Sequence, residues 1–166
     1  NEFRKEKDKV STRENYSFRF GKLNQKTNYR VLLLSGGFQQ ETSISYFHKS
    51  LGGYNSTKIQ RYQDLLENKF NKQMQLASNP NTLAKAKLIN MLNTKYIITN
   101  PNGNGRFIDM NDPSTFSPEN QKVMPGFINP HAMGNAWFVN EVNAVSSPDE
   151  EFKELDNFDE KNTAIT

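Results

Sequence analysis

The first apolar run of the chain is Tyr29-Arg30-Val31-Leu32-Leu33-Leu34, and Ser35-Gly36-Gly37 follows it directly. Large and branched apolar side chains in a short run are typical of a buried strand, and a Gly-Gly pair is typical of a tight turn. A second run of the same type extends from Lys95 to Thr99. We therefore expect the first run to be a central strand of a sheet.

Two helices are predicted between these strands. The first begins near Ser56, because Thr57 and Gln60 have the spacing of a capping box. Its apolar residues recur at helical intervals: Ile59, Tyr62, Leu65, Leu66 and Phe70. The second begins at Asn79 or Asn81, has Pro80 in its first turn and ends at Asn93.

The C-terminal half is predicted to contain two more strands and one helix. Residues 106–110 should return antiparallel to 95–99 as a hairpin, and residues 136–145 should form a strand. Four prolines between residues 111 and 133 predict an irregular excursion there. Ser147-Pro148-Asp149-Glu150 supplies the N-cap, first-turn proline and capping-box glutamate of a short helix.

This order of elements predicts an α/β or α+β fold, with a mixed sheet of about four to five strands and about three packed helices. The chain has 166 residues, which is enough for one core. Hydrophobic content is only 34%, but 12 Phe and 6 Tyr can bury large surfaces from few positions. We predict a basic, partly ordered arm over residues 1–28, with a short edge strand at 16–20, and a single domain over residues 29–166.

Metal and cofactor chemistry is not predicted. The chain has no cysteine, and its two histidines, His48 and His131, are far apart and lie in no metal-binding motif. The pairs Gly36-Gly37 and Gly52-Gly53 lack the residues that follow glycine in phosphate-binding loops. No catalytic residue is predicted either, since the short-spaced aspartate pairs of the chain are typical of solvated or capping carboxylates.

A ligand-binding segment is a candidate because aromatic and cationic residues are concentrated in one part of the chain. Its members are Tyr46, His48, Lys49, Tyr54, Lys58, Arg61 and Tyr62. Aromatic faces can stack on a sugar ring, and Lys or Arg can neutralise an adjacent phosphate. Alternatively, the tyrosines attach the loop to the core through buried rings and hydrogen-bonded hydroxyls, and the residues alone favour this structural interpretation.

The same part of the chain also resembles a known family. The matching blocks, in the order of that family, are Tyr29 to Leu32, Ser45 to Tyr54, Arg61 to Leu65, Met91 to Tyr96, Ala132 to Val139, and Asp149-Glu150-Glu151 ahead of Phe158-Asp159. Together they resemble the large extracytoplasmic region of YfhO-type bacterial membrane proteins, over Tyr29 to Thr163. The sequence departs from the family pattern at Met133, where leucine is more usual, and at Glu160, where proline is frequent.

The resemblance implies a polytopic parent protein in the bacterial cytoplasmic membrane, with this domain facing the periplasmic or extracytoplasmic side. Such proteins are thought to be lipid-linked sugar transferases of the GT-C kind, whose catalytic acid usually lies in an early loop between the first spans. No position here matches that motif, so the domain is expected not to be catalytic by itself. Its implied role is accessory recognition of a polyprenyl-phosphate sugar or an envelope glycan, beside the membrane-embedded remainder of the parent.

Two other classes of function stay open on the sequence. A non-catalytic structural or protein-interaction domain would have exposed apolar patches and no sugar or phosphate pocket. A nucleic-acid-binding domain would gather Lys and Arg on one face with exposed stacking aromatics. The formal charge is +3, but the basic residues concentrate at the N-terminus and residues 149–160 are acidic, so no nucleic acid is expected as a partner.

Overall fold

The computed structural model of the chain describes residues 28–34, 38–40, 42, 44–45, 48–54, 57–99, 107–109 and 126–166. These residues form a five-stranded mixed sheet, a separate two-stranded sheet, four α-helices and one 3₁₀ helix. The predicted α/β class is therefore confirmed. The predicted arm over residues 1–28, with its predicted edge strand, lies outside the described residues except for Asn28.

Five strands make up the main sheet: β1 (Arg30–Leu33), β2 (Lys49–Ser50), β3 (Thr94–Ile98), β4 (Phe107–Asp109) and β5 (Gly126–Ile128). Their spatial order is β2-β1-β3-β5-β4. β1 pairs in parallel with both β2 and β3, so the predicted central strand has a neighbour on each side. Val31, Leu32 and Leu33 are all buried, because both faces of this part of the sheet are covered.

The predicted hairpin between residues 95–99 and 106–110 is wrong. β5 lies between the two strands: it runs antiparallel to β3 and parallel to β4. β5 also falls inside the stretch 111–133 that was expected to be irregular, of which residues 111–125 lie outside the described part. Its residues 126–128 contain no proline, so every residue can donate a ladder hydrogen bond, and Pro125 and Pro130 stand outside the strand.

The first predicted helix is in fact two helices, α1 (Gln60–Asn68) and α2 (Phe70–Ala77), separated by a turn at Lys69. The predicted capping box is wrong, because Ile59 rather than Thr57 is the N-cap of α1 and no side chain caps this end. The helix therefore begins later than the sequence suggested.

The second predicted helix begins as expected but is also divided. A 3₁₀ helix (Pro80–Lys85) is followed by the short α3 (Lys87–Met91). The Asn79 side chain accepts a hydrogen bond from the backbone N–H of Asn81 over 2.9 Å, as an N-cap does. Asn93 has a positive φ of 54°, which confirms that the helix ends just before it.

The core has two parts, one on each face of the sheet. The larger part packs Leu32, Ile97 and Phe127 against the helices, which contribute Leu66, Phe70, Ala77, Leu83 and Ile89. The smaller part contains the alternate strand residues Val31, Leu33, Tyr96 and Ile98, together with Tyr29 and Ile44. Successive residues of β1 and β3 thus serve opposite faces, as the period of a strand requires.

The C-terminal part contains β6 (Glu141–Asn143), α4 (Pro148–Glu154) and β7 (Thr163–Ile165). β6 is shorter than the predicted strand 136–145, and its parallel partner β7 was not predicted. The α4 prediction is confirmed, since Ser147 Oγ accepts from the backbone N–H of Glu150 at 3.3 Å. The Glu150 carboxylate accepts from the N–H of Ser146 at 2.8 Å, one residue before the N-cap.

Two lysines connect this C-terminal part to the helices. Lys69 Nζ lies 2.6 Å from Asp156 Oδ2 and 4.7 Å from the centre of the Phe152 ring. Lys87 Nζ lies 3.5 Å from Oε2 of the buried Glu160. Glu160 therefore has an ion-pair partner on α3.

Candidate functional site

Two adjoining cavities lie at the end of the main sheet where β1, β2 and β3 begin and β5 ends. Their volumes are about 130 Å³ and about 500 Å³. Five residues line both: Asn28, Tyr29, Asn93, Gly134 and Asn135. We call the two cavities together the amide cleft, since side-chain amides dominate the shared wall.

The charged residues of the amide cleft are all cations. Arg30 and Lys49 line the small cavity, and Lys95 lines the large one. No aspartate or glutamate is among the described residues that line either cavity. The ion pairs found across the described residues join other lysines and arginines to carboxylates and leave these three cations out. The cleft is therefore suited to a negatively charged ligand.

The two cations of the small cavity are placed by strand register. Arg30 of β1 is paired directly with Lys49 of β2. Paired residues of neighbouring strands lie side by side, and like charges in such positions repel each other. An anion bound between them would relieve this repulsion, which makes the pair a specific electrostatic feature of the site.

Lys95 is placed by an irregularity in the sheet. Arg30 pairs with Thr94, but the next residue, Val31, pairs with Tyr96, so Lys95 is an extra residue on β3. A bulge of this kind redirects a side chain out of the regular alternation, and bulges are frequent next to functional sites. Lys95 Nζ lies 5.8 Å from the centre of the Tyr96 ring and lines the large cavity.

Asn93 organises the shared wall. Its amide nitrogen donates to the backbone carbonyl of Asn28 and, over 2.9 Å, to Oδ1 of Asn135. Lys49 Nζ donates to Oδ1 of Asn28 over 2.9 Å. The positive φ of Asn93 (54°) and of Gly134 (84°) turns the chain at both sides of this wall. Three segments distant in sequence are thereby held together by side-chain amides.

A buried polar network supports the wall from inside. Asn129 Nδ2 donates to Asn90 Oδ1 at 2.9 Å and to the carbonyl of Thr94 at 2.8 Å. Asn129 Oδ1 accepts from the backbone N–H of His131 at 2.9 Å. Because Asn90, Thr94 and Asn129 are all buried, these bonds fix the segment after β5 against α3 and β3.

Tyr29 forms the back of the cleft but offers no open ring face. It is buried, its hydroxyl lies 3.3 Å from His48 Nδ1, and its ring meets that of Tyr96 edge-on at 4.8 Å. Burial, with a smaller effect of Tyr96, raises the pKa of Tyr29 to about 12. Its hydroxyl therefore stays protonated and serves as a neutral hydrogen-bonding group.

The seven predicted ligand residues are spread over several parts of the fold. Lys49 lines the small cavity of the amide cleft, whereas the neighbouring His48 is buried against Tyr29. Tyr54 is 74% exposed and lies in neither cavity of the cleft. Tyr46 lies outside the described residues.

The other three predicted ligand residues lie at or just before α1. Tyr62 donates its hydroxyl to the carbonyl of Leu51 over 2.7 Å, which agrees with the structural alternative for the tyrosines. Arg61 forms an ion pair with Glu151 of α4. Arg61 and Tyr62 line a groove of about 580 Å³ between α1 and α4, and Lys58, half-buried, precedes α1. The structure thus brings Arg61 and Tyr62 together but separates them from Lys49.

Several residues of the amide cleft were not singled out from the sequence: Arg30, Asn93, Lys95, Asn129 and Asn135. Asparagine is common along the whole chain and usually indicates turns and caps, so composition gave no reason to select these positions. A usable signal was present, since four of the five fall in the blocks that carry the family resemblance.

Comparisons of the chain with protein-family models, with curated proteins and with solved structures found no match. Within the described part of the chain, no group of three or more His, Asp or Glu side chains is placed to hold a metal ion. None of the helices seen there is long and apolar enough to cross a membrane.

Proposed function

We propose that this chain is an extracytoplasmic recognition domain of a YfhO-type membrane protein, and that its amide cleft binds the anionic head group of an envelope sugar compound. In this role the domain assists lipid-linked sugar transfer without catalysing it. In this proposal the chemical step is assigned to the membrane-embedded remainder of the parent, as the resemblance implies. The amides and cations that line the cleft would instead bind and orient an anionic ligand.

The observation that carries the proposal is the side-by-side pair Arg30 and Lys49 in the lining of the small cavity, which has no carboxylate among its described residues. An anion bound between the two like charges would offset their mutual repulsion. Lys95, redirected by the bulge, adds a third positive charge to the same cleft.

The arrangement of the resemblance blocks supports the same proposal. Tyr29 and Arg30 come from one block, Lys49 from a second, Asn93 and Lys95 from a third, and Ala132 to Asn135 from a fourth. They are far apart in sequence and meet at one cleft. A shared binding site would be a physical reason for these distant segments to converge on one cleft.

The test is an NMR titration of the 166-residue chain with a sugar 1-phosphate, which stands for the head group of a polyprenyl-phosphate sugar. We expect shifts of the backbone amides at Arg30, Lys49, Asn93 and Lys95, and their loss in Lys49→Ala. Lys72→Ala is the matched control, because Lys72 is an exposed lysine of α2 and lines none of the cavities described above. Equal losses in the two variants would show that net charge, and not the cleft, attracts the ligand.

A second candidate function is a protein-interaction domain, and the groove between α1 and α4 favours it. The groove is lined by the apolar residues Ile59, Leu65, Pro148, Phe152 and Leu155, and Ile59 is 75% exposed. Exposed apolar patches of this kind mark contact sites. The partner in this case would be the membrane-embedded remainder of the parent.

A photo-crosslinking residue at position 59 of the full-length parent would test this second candidate. Crosslinks from position 59 to the transmembrane part, absent from position 72, are the expected result. Crosslinking that is equal at both positions would contradict it.

A further inference from the structure

We infer that residues 136–166 form a flap, which three ion pairs hold against the helices and which swings open about a hinge at Gly134 when salt screens those pairs. The flap contains β6, α4 and β7, and all of its residues belong to the described part of the chain. We call the three ion pairs together the latch.

The latch joins basic side chains of the helical layer to carboxylates of the flap. Its pairs are Arg61–Glu151, Lys69–Asp156 at 2.6 Å and Lys87–Glu160 at 3.5 Å. They are the ion pairs found among the described residues, and every one of them crosses this interface. The same three cations also make each hydrogen bond between the flap and other described residues. The flap is therefore attached to the helices by charge.

Apolar burial contributes little to this attachment. Of the apolar side chains between residues 136 and 166, Phe158 alone is buried, whereas Phe138 and Val142 are exposed. The groove of about 580 Å³ between α1 and α4 lies in the same interface, so part of it is open space. Burial of apolar surface is the dominant favourable contribution to packing, and this interface has little of it.

The flap is held together by contacts of its own. β6 and β7 pair in parallel over three residues each. Trp137 Nε1 donates to the carbonyl of Glu160 at 3.0 Å, and the side chain of Asn140 donates to that of Asn162 at 2.9 Å. These bonds connect the beginning of the flap to its end. Because they lie inside the flap, its motion as one unit leaves them intact.

Gly134 is placed to act as the hinge. The segment before it is fixed, since Asn129 donates to the buried Asn90 and the backbone N–H of Met133 donates to the carbonyl of Asn90 at 3.1 Å. Gly134 has a φ of +84°, and a Cβ added there would meet nothing within 4 Å. Hinges are a few residues that absorb a change in φ and ψ, and glycine does so at the lowest steric cost. The rigid cleft wall thus ends where the flap begins.

Opening requires little free energy, because two pairs of the latch have an exposed partner. The side chains of Arg61 and Asp156 are exposed, and ion pairs of this kind contribute little and are screened by salt. Glu160 is buried, so opening returns its carboxylate to water and offsets the loss of Lys87. Weakly held segments of this kind open locally, without global unfolding.

The test is a pulsed electron paramagnetic resonance measurement on the full 166-residue chain, with nitroxides at Asn71→Cys on α2 and Asn143→Cys on β6. Both asparagines are exposed and uncharged, and the chain has no cysteine of its own, so only these two positions carry a label. Distances are measured in about 0.1 M and about 1 M NaCl, between which the Debye length falls from about 10 Å to about 3 Å. An excess of unlabelled chain keeps the measured distances within one molecule.

We expect a short distance at the lower salt concentration and a longer one whose population rises about tenfold at the higher, since both exposed pairs are then screened. Lys69→Gln should raise the longer-distance population about threefold at low salt, because it removes one pair and keeps the side chain long. Lys72→Gln is the matched control, as an exposed lysine of α2 outside the latch, and should change this population by less than about 1.5-fold.

Charge reversal separates the electrostatic role of Lys69 from its packing. Lys69 Nζ also lies 4.7 Å from the centre of the Phe152 ring, a contact that the reversed pair does not restore. Lys69→Asp should open the flap, and the addition of Asp156→Lys should return the closed population to within about twofold of the unchanged protein. No recovery in the double variant would overturn the electrostatic latch.

Three other results would also overturn the inference. The first is a distance distribution that is the same at both salt concentrations, and the second is an equal effect of Lys69→Gln and Lys72→Gln. The third is a loss of helical circular dichroism together with the longer distance, because the flap would then unfold instead of moving about Gly134. A longer distance with unchanged helical signal supports the hinge.

Discussion

Asn129 Nδ2 lies 2.9 Å from Asn90 Oδ1, and both side chains are buried. This contact joins the segment after β5 to α3, across a separation of 39 residues. Since the same segment continues to Gly134 and Asn135, the buried pair holds one wall of the amide cleft in place. Stability and the proposed binding site are coupled at this point.

Asn129→Ala should lower the free energy of unfolding by about 3 kcal/mol. The substitution leaves Asn90 Oδ1 and the carbonyl of Thr94 without their donor inside the protein, and each unsatisfied buried group costs about 1–3 kcal/mol. Urea denaturation followed by circular dichroism measures the change. Asn140→Ala is the control, because its side-chain bond to Asn162 is exposed, and its effect should stay within about 0.5 kcal/mol. Similar losses in both variants would contradict the structural role of the buried pair.

Gly52→Ala should be severely destabilising, by about 3 kcal/mol or more, because there is no room for a side chain. A Cβ atom at Gly52 would lie 2.1 Å from the backbone oxygen of Phe38 and 2.7 Å from its ring. The ring cannot easily move away, since it stacks on the buried Phe70 at 5.6 Å. Thermal unfolding monitored by circular dichroism compares the stability of Gly52→Ala with that of the unchanged protein.

The matched variant is Gly134→Ala, which tests the cost of backbone strain without a steric clash of the added side chain. Nothing lies within 4 Å of a Cβ at Gly134, but its φ of +84° is unfavourable for alanine. The expected cost is about 1–2 kcal/mol, together with weaker ligand binding because the cleft wall turns at this residue. A larger loss in Gly134→Ala than in Gly52→Ala would contradict the close approach at Gly52.

The free energy of unfolding should fall as pH rises from 10 towards 12. The pKa of Tyr29 is raised from 10.0 to about 12 in the folded protein. Below pH 10 the tyrosine is protonated in both the folded and the unfolded chain. Between pH 10 and 12 the unfolded chain loses the proton more readily, so ionisation favours unfolding and the free energy of unfolding falls. Burial also raises the pKa of Tyr62, which adds to the same trend. Tyrosinate absorbance and urea denaturation at each pH measure the effect. Tyr29→Phe should reduce the slope between pH 10 and 12, and an unchanged slope would refute the assignment to Tyr29.

Ser147→Ala should destabilise α4 by about 1 kcal/mol, because the backbone N–H of Glu150 loses its acceptor. Ser147→Asp is the matched variant and should keep the stability of α4. Aspartate is an equally good N-cap, and its negative charge interacts favourably with the positive N-terminal end of the helix. Hydrogen exchange of the amides in the first turn of α4 reports the change. If both variants exchange equally fast, the cap does not contribute.

Local sequence patterns were sufficient where one short-range cause dominates. The apolar run at β1 and the Ser-Pro-Asp-Glu start of α4 both gave the right element, because burial of consecutive apolar residues and capping act within a few positions. The capping box predicted at Thr57 is wrong although its residue spacing was correct, because Ile59 is the N-cap of α1. Side-chain capping is worth about 1 kcal/mol, which tertiary packing can outweigh.

The pairing of the strands could not be predicted from local sequence patterns. A hairpin between residues 95–99 and 106–110 was the simplest connection, yet β5 separates the two strands. β5 has only three residues, with prolines on both flanks of its sequence, so its pattern resembles a loop. β5 forms a strand because it pairs with β3 and β4, and this position buries Phe127 against the helices.

The sequence by itself determined the α/β class, the interior strand β1, the capped helix α4 and the helix stop at Asn93, since each follows from local propensity or periodicity. Only the tertiary structure decided which residues form the amide cleft. Arg30 and Lys49 become neighbours through strand register, and Lys95 faces the cleft through a bulge. Register and bulges arise from contacts between segments distant in sequence, and no local pattern records them.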